Sequence, residues 1–141
     1  MWIYDDGGRA SAGYKGNARD CVTRAIAIAT NTDYQTVYGE LNRIASAERT
    51  NRKSSARNGV YPSTFNKYLE NLGWIWTPTM FFGKGCKVHL RAEELPSGTL
   101  IAKVSIHLVA VKDGVIYDTH DSSRNGKRCV YGYWKGQTNG G

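Results

Sequence analysis

An α+β fold is the expectation from this sequence, and three observations carry it. Apolar residues recur at helical spacing between Asp20 and Leu72. After Gly73 the period changes to that of strands, in β-branched runs such as 99–104 and 106–111. Lys112-Asp113-Gly114, between two of those runs, is a hairpin turn signal, so the sheet is expected to be antiparallel. Helices first and strands afterwards argue for N-terminal helices packed on a C-terminal sheet rather than for alternating β-α units.

Residues 1–16 are polar and Gly-rich and read as an irregular lead-in. The run from Asp20 to Ala29 reads as a short, mostly buried helix, with Asp20 suited to the N-cap and Cys21 to the first helical position. In a second helix Thr32 and Gln35 have capping-box spacing, and Tyr34, Val37, Tyr38, Leu41, Ile44 and Ala45 form the apolar stripe. The pattern stops between Ser46 and Asn58, where Arg49, Arg52, Lys53 and Arg57 crowd a Ser- and Asn-rich loop. A third helix is predicted over 62–72, with Pro62 in its first turn, Gly73 as its stop, and Phe65, Tyr68, Leu69 and Leu72 facing inward.

Trp74-Ile75-Trp76 opens the strand half, and a Gly-rich loop at Gly83 to Gly85 interrupts it. The return strand of the hairpin is 115–118, a last strand is predicted at 130–134, and residues 135–141 read as a flexible tail. With 141 residues, no repeat and no linker, the chain is expected to form one domain.

At 40% hydrophobic and 22% charged residues, the composition excludes a disordered chain. No apolar stretch is long enough to cross a bilayer, so no membrane association is expected. The stretch from Met1 to Gly8 lacks the basic start and apolar centre of a signal peptide, which makes the cytoplasm the expected location, that of the host if a phage encodes the protein. Three cysteines are an odd number, so at least one thiol should be free. The net charge of +7 favours acidic partners.

The chemistry centres on Cys21. A thiol at a helix N-terminus lies among unpaired backbone N–H groups and the positive end of the dipole, and both favour the reactive thiolate. The neighbouring Asp20 opposes this, and Arg19 and Arg24 offset it. The hairpin supplies a base. A two-residue turn at Asp113-Gly114 pairs Lys112 with Val115, Val111 with Ile116 and Val109 with Asp118. His107 and Asp118 then become diagonal neighbours on one face, roughly 7–8 Å apart at the backbone. A carboxylate there can hold one imidazole nitrogen and leave the other to a thiol. A register slip of one residue would put the two on opposite faces. His120 is a rival base and Asp121 a rival third member. His107 is preferred because it begins an apolar strand that would hold it rigidly.

The segments Asn17-Ala-Arg-Asp-Cys21-Val-Thr-Arg-Ala and His107-Leu-Val-Ala-Val-Lys-Asp-Gly-Val-Ile-Tyr-Asp118 together resemble the papain-like cysteine peptidase superfamily, in the style of its compact bacterial and phage members. The order Cys, His, Asp matches, over roughly residues 17–134. The resemblance implies a papain-like fold and cleavage of a peptide, isopeptide or related amide through a thioester, with no cofactor and no metal. Cys21 would be the nucleophile, His107 the base and Asp118 its orienting partner. It also implies an oxyanion hole from the Cys21 backbone N–H and an upstream side-chain amide, for which Asn17 is the candidate, where papain carries a Gln further upstream.

Other classes fit less well. Cys86 and His89 have C-x-x-H spacing, with His107, His120 and Cys129 as further donors, yet a structural zinc site shows two close ligand pairs. The basic loop from Arg43 to Arg57 suits nucleic acid or an acidic protein, but no familiar nucleic-acid motif accompanies it and the aromatics fall at core spacings. The expected partner is therefore a peptide or protein substrate, possibly acidic in character. The alternative is a non-catalytic papain-like or basic-loop binding protein, for nucleic acid or an acidic protein partner.

Overall fold

The computed structural model describes residues 1–16, 18–48, 55–57 and 59–136. Among them are three α-helices, α1 (Cys21–Thr30), α2 (Tyr34–Ala47) and α3 (Pro62–Asn71). Six strands follow the chain as β1 (Trp2–Tyr4), β2 (Ile75–Pro78), β3 (Thr99–Val104), β4 (His107–Lys112), β5 (Val115–Asp118) and β6 (Gly132–Lys135). They form one mixed sheet in the order β1-β5-β4-β3-β6-β2. The class is α+β, as expected.

Helix α1 buries nearly its whole surface, because Val22, Ala25, Ile26 and Ala27 meet both the other helices and the sheet. Val37, Leu41 and Ile44 of α2 and Phe65, Tyr68 and Leu69 of α3 join Ile101, Leu108 and Trp134 of the sheet in the same cluster. Gly73 ends α3 with φ 81°, its N–H bonded to Glu70 O at 2.9 Å and the Trp74 N–H to Leu69 O at 3.0 Å. That reciprocal pair closes the helix as a left-handed glycine permits. Leu72, expected on the buried stripe, is half exposed because the helix has already ended at Asn71.

The second face of the sheet is also covered. Leu100, Ala102, Val104, Val109, Val111 and Ile116 point away from the helices and pack with Leu90, Leu95 and Val130. This burial on both faces explains why β3 and β4 read as continuous apolar runs rather than as alternating ones. The segment carrying Leu90 and Leu95 includes one turn of 3-10 helix, Ala92–Glu94. A disulfide between Cys86 and Cys129 ties it to the residues before β6.

The central hairpin has the expected register, with Lys112 opposite Val115 and Val111 opposite Ile116. Asp113 and Gly114 both have positive φ, 49° and 79°, as the predicted turn requires. A Cβ at Gly114 would lie 2.6 Å from the Ala92 Cβ, so glycine there also admits the 3-10 turn.

Further expectations change. The sheet is mixed, not wholly antiparallel, because β1 lies within the stretch read as irregular lead-in and pairs parallel to β5, Trp2 opposite Ile116 and Tyr4 opposite Asp118. Ile106, assigned to a strand, occupies the tight β3–β4 turn at φ 56° and is fully exposed. Thr32 forms no capping box, since its hydroxyl bonds to Thr30 and α2 starts one residue later than that box requires. Lys135, assigned to the tail, belongs to β6, and residues 137–141 lie outside the described residues, as do 49–54 and Asn58 of the basic loop. Arg43, at the start of that loop as read, is in α2 and pairs with Glu40.

Candidate functional site

Three elements converge at one end of the sheet. Helix α1 begins with Cys21, β4 begins with His107, and β5 ends with Asp118. The spatial coincidence follows from the hairpin register, which brings the end of β5 beside the start of β4, and from packing of α1 on β4.

His107 Nε2 lies 2.6 Å from Asp118 Oδ2. The other Asp118 oxygen accepts the Thr119 N–H at 2.7 Å and faces Arg24 Nη2 at 3.5 Å. With both oxygens engaged, the carboxylate has little freedom to rotate. The β1 chain adds a backbone restraint, since the Asp5 N–H donates to Asp118 O at 2.9 Å. Burial pushes the Asp118 carboxyl up, but the His107 bond and charge and the Thr119 N–H outweigh it and hold it below the usual carboxylate range.

Cys21 is the free thiol of the chain, half-buried, and lines the same cleft as His107. Since Nε2 faces Asp118, Nδ1 is the ring nitrogen left for the sulfur. Burial pushes the thiol up; the His107 bond and charge, the Leu108 backbone and the Arg24 charge overcome it and lower it. Burial likewise pulls His107 down, while Asp118 and Cys21 raise it to about 9. Asp118 and Cys21 thus favour the charged imidazole, and His107 and Arg24 favour the thiolate.

A second cluster braces this pair. Asp20, which precedes α1, is buried and does not cap the helix with its side chain. Its carboxylate instead receives Arg24 Nη1 at 2.5 Å and the Tyr34 hydroxyl at 2.6 Å, with Arg9 Nε at 3.4 Å. Arg24 thus bridges Asp20 and Asp118. Sequence reasoning assigned Asp20 to capping and missed this hub, although the i,i+4 spacing of Asp20 and Arg24 was a readable signal.

The remaining candidates separate. Asn17 lies outside the described residues. His120 is exposed, with its ring 5.3 Å from that of His107. His107, Asp118 and His120 each bring a ligand atom within 4.8 Å of one another, a set able to hold a metal ion. Asp121 turns away to accept the Ser123 N–H and hydroxyl at 3.0 and 2.7 Å. Cys86 and Cys129 are bonded to each other, which removes both from the zinc set, and His89 Nδ1 faces Glu94 at 3.2 Å.

A cleft of about 760 Å³ opens beside Cys21 and His107. Among the described residues, no helix is long and apolar enough to cross a membrane. No protein-family model, curated protein or solved structure matches this chain.

Proposed function

We propose that the protein is a thiol hydrolase of papain-like type, acting on a peptide, isopeptide or related amide bond. The observation that carries the reading is the His107–Asp118 contact of 2.6 Å, with Cys21, at a helix start, lining the same cleft as that imidazole. The papain-like assignment is supported by the chain order of the three residues and by their positions on α1, β4 and β5.

In the reaction, Cys21 Sγ attacks the carbonyl carbon and forms a tetrahedral adduct. The Cys21 backbone N–H, in the first turn of α1 where helix N–H groups lack intrahelical partners, would stabilise the oxyanion. The C–N bond breaks as His107 gives its proton to the departing amine, which leaves a thioester on Cys21. His107 then takes a proton from water, water attacks the thioester, and the acid and the thiol are released. Asp118 keeps the imidazole oriented and stabilises its charge throughout, and Arg24 positions Asp118.

The test is alkylation of Cys21 by iodoacetamide across pH, read by mass spectrometry, for the wild type, His107→Ala and Asp118→Asn. With Cys86 and Cys129 bonded to each other, one adduct per chain reports Cys21 alone. The expected result is reaction well below the pH of an ordinary thiol, near 8.5, and loss of that advantage in His107→Ala. An inert Cys21, or equal profiles for wild type and His107→Ala, defeats the reading.

A further inference from the structure

The walls of the cleft carry two chemistries that the triad does not use. One is apolar. Ile106, the residue before His107, is fully exposed and holds a left-handed backbone at φ 56°, a conformation that a β-branched residue adopts only when the surroundings impose it. Its side chain stands at the cleft with Val60 and Phe65. An exposed aliphatic group held in a strained turn beside a reacting centre suits contact with a substrate side chain.

The other is cationic. Arg19 and Lys103 both line the cleft, and neither has an ion-pair partner among the described residues. Lys103 extends its ammonium over the Phe65 ring, 5.9 Å from the centroid, which places charge against the apolar wall. The acidic residue of the cleft is Asp20, which is buried and already held by Arg24, Arg9 and Tyr34. No carboxylate of the cleft lining is therefore left to neutralise Arg19 and Lys103.

We infer that the substrate is an acidic peptide whose scissile bond is flanked by an aliphatic or aromatic side chain and a carboxylate, the first docking on Ile106 and Val60, the second on Lys103 and Arg19. This inference rests on the thiol hydrolase reading and specifies what that site accepts. Lys103 and Arg19 are specificity-determining residues and take no part in the chemistry.

The experiment uses four dipeptidyl chloromethyl ketones, Leu-Glu, Glu-Leu, Leu-Lys and Lys-Leu, with iodoacetamide as an uncharged reference. In each ketone the Cys21 thiolate displaces chloride and forms a thioether. The better Glu compound is expected to inactivate about fivefold faster than the better Lys compound at low ionic strength, the effect of one exposed ion pair. The preference should shrink in salt, be lost in Arg19→Glu and in Lys103→Glu, and invert in the double variant. Arg19 is exposed, so its variant folds even if a charge change in β3 is not tolerated. Replacing Leu by Ser should slow the Glu compounds about tenfold, the loss of a partly buried aliphatic side chain. Rapid alkylation by iodoacetamide with no Glu-over-Lys preference overturns this inference and leaves the hydrolase reading standing. Slow alkylation by every reagent overturns the hydrolase reading, and the inference falls with it.

Discussion

If Cys21 and His107 form an ion pair, replacing Cys21 by Ser should expose a pH dependence of folding that the wild type conceals. His107 rises from 6.5 to about 9 in the folded protein. At about 1.4 kcal/mol for each tenfold in proton affinity, that is worth about 3 kcal/mol of stability. A raised pKa contributes its stability fully below 6.5 and loses it as pH climbs through 9, because the folded state then holds a proton that the unfolded state lacks. The Cys21 thiol is shifted the other way, so if the ion pair forms it lacks over the same window a proton that the unfolded thiol keeps. In the wild type the two slopes then oppose each other, since folding moves a proton from sulfur to imidazole. In Cys21→Ser the thiol contribution is gone, while Asp118 still holds the imidazolium. Stability of the variant relative to wild type should therefore fall between pH 6.5 and 9, by up to about 1.4 kcal/mol per pH unit. The total stays below about 3 kcal/mol, because part of the His107 rise comes from Cys21 itself. Urea titrations followed by tryptophan fluorescence from pH 6 to 9.5 measure this, and groups common to both proteins drop out of the difference. Parallel profiles for the two proteins would refute the ion pair.

Three other changes test the frame around the site. Arg24→Gln removes the bridge between buried Asp20 and Asp118 and should cost about 3 kcal/mol in urea unfolding. Cys86→Ser with Cys129→Ser opens a loop of 43 residues and should cost about 4 kcal/mol by the chain-entropy argument, while Cys21 keeps its alkylation profile. Ile106→Gly relieves the left-handed backbone and loses no packing within this chain, so the melting temperature should rise by the equivalent of about 1 kcal/mol.

The parts of the molecule legible in the sequence were those fixed by local chemistry. Asp113-Gly114 set the hairpin register, and that register alone predicted the meeting of His107 with Asp118 across eleven residues of chain. Gly73 ended α3 through a backbone conformation that few other residues accept. What escaped was set by partners distant in the chain. Asp20 has the composition of an N-cap, but Arg9, Arg24 and Tyr34 compete for its carboxylate and take it. Trp2–Tyr4 is too short to announce a strand and has its partner at the other end of the chain. Ile106 has high strand propensity, yet the short β3–β4 connection needs a turn residue at its position.

The parallel pairing of β1 with β5 also bears on the time order of synthesis. Trp2 leaves the ribosome 114 residues before Ile116, the residue it will pair with. At 5–20 residues per second that interval lasts roughly 6–23 s. Throughout it, the Trp-Ile-Tyr stretch has no sheet to join and is available for wrong pairings or for a chaperone. The same delay governs the site. Asp118 is held by the Asp5 N–H and by His107, and none of those contacts can form until β5 has been made. A nascent chain therefore carries Cys21 without an Asp118-held imidazole until β5 has been made.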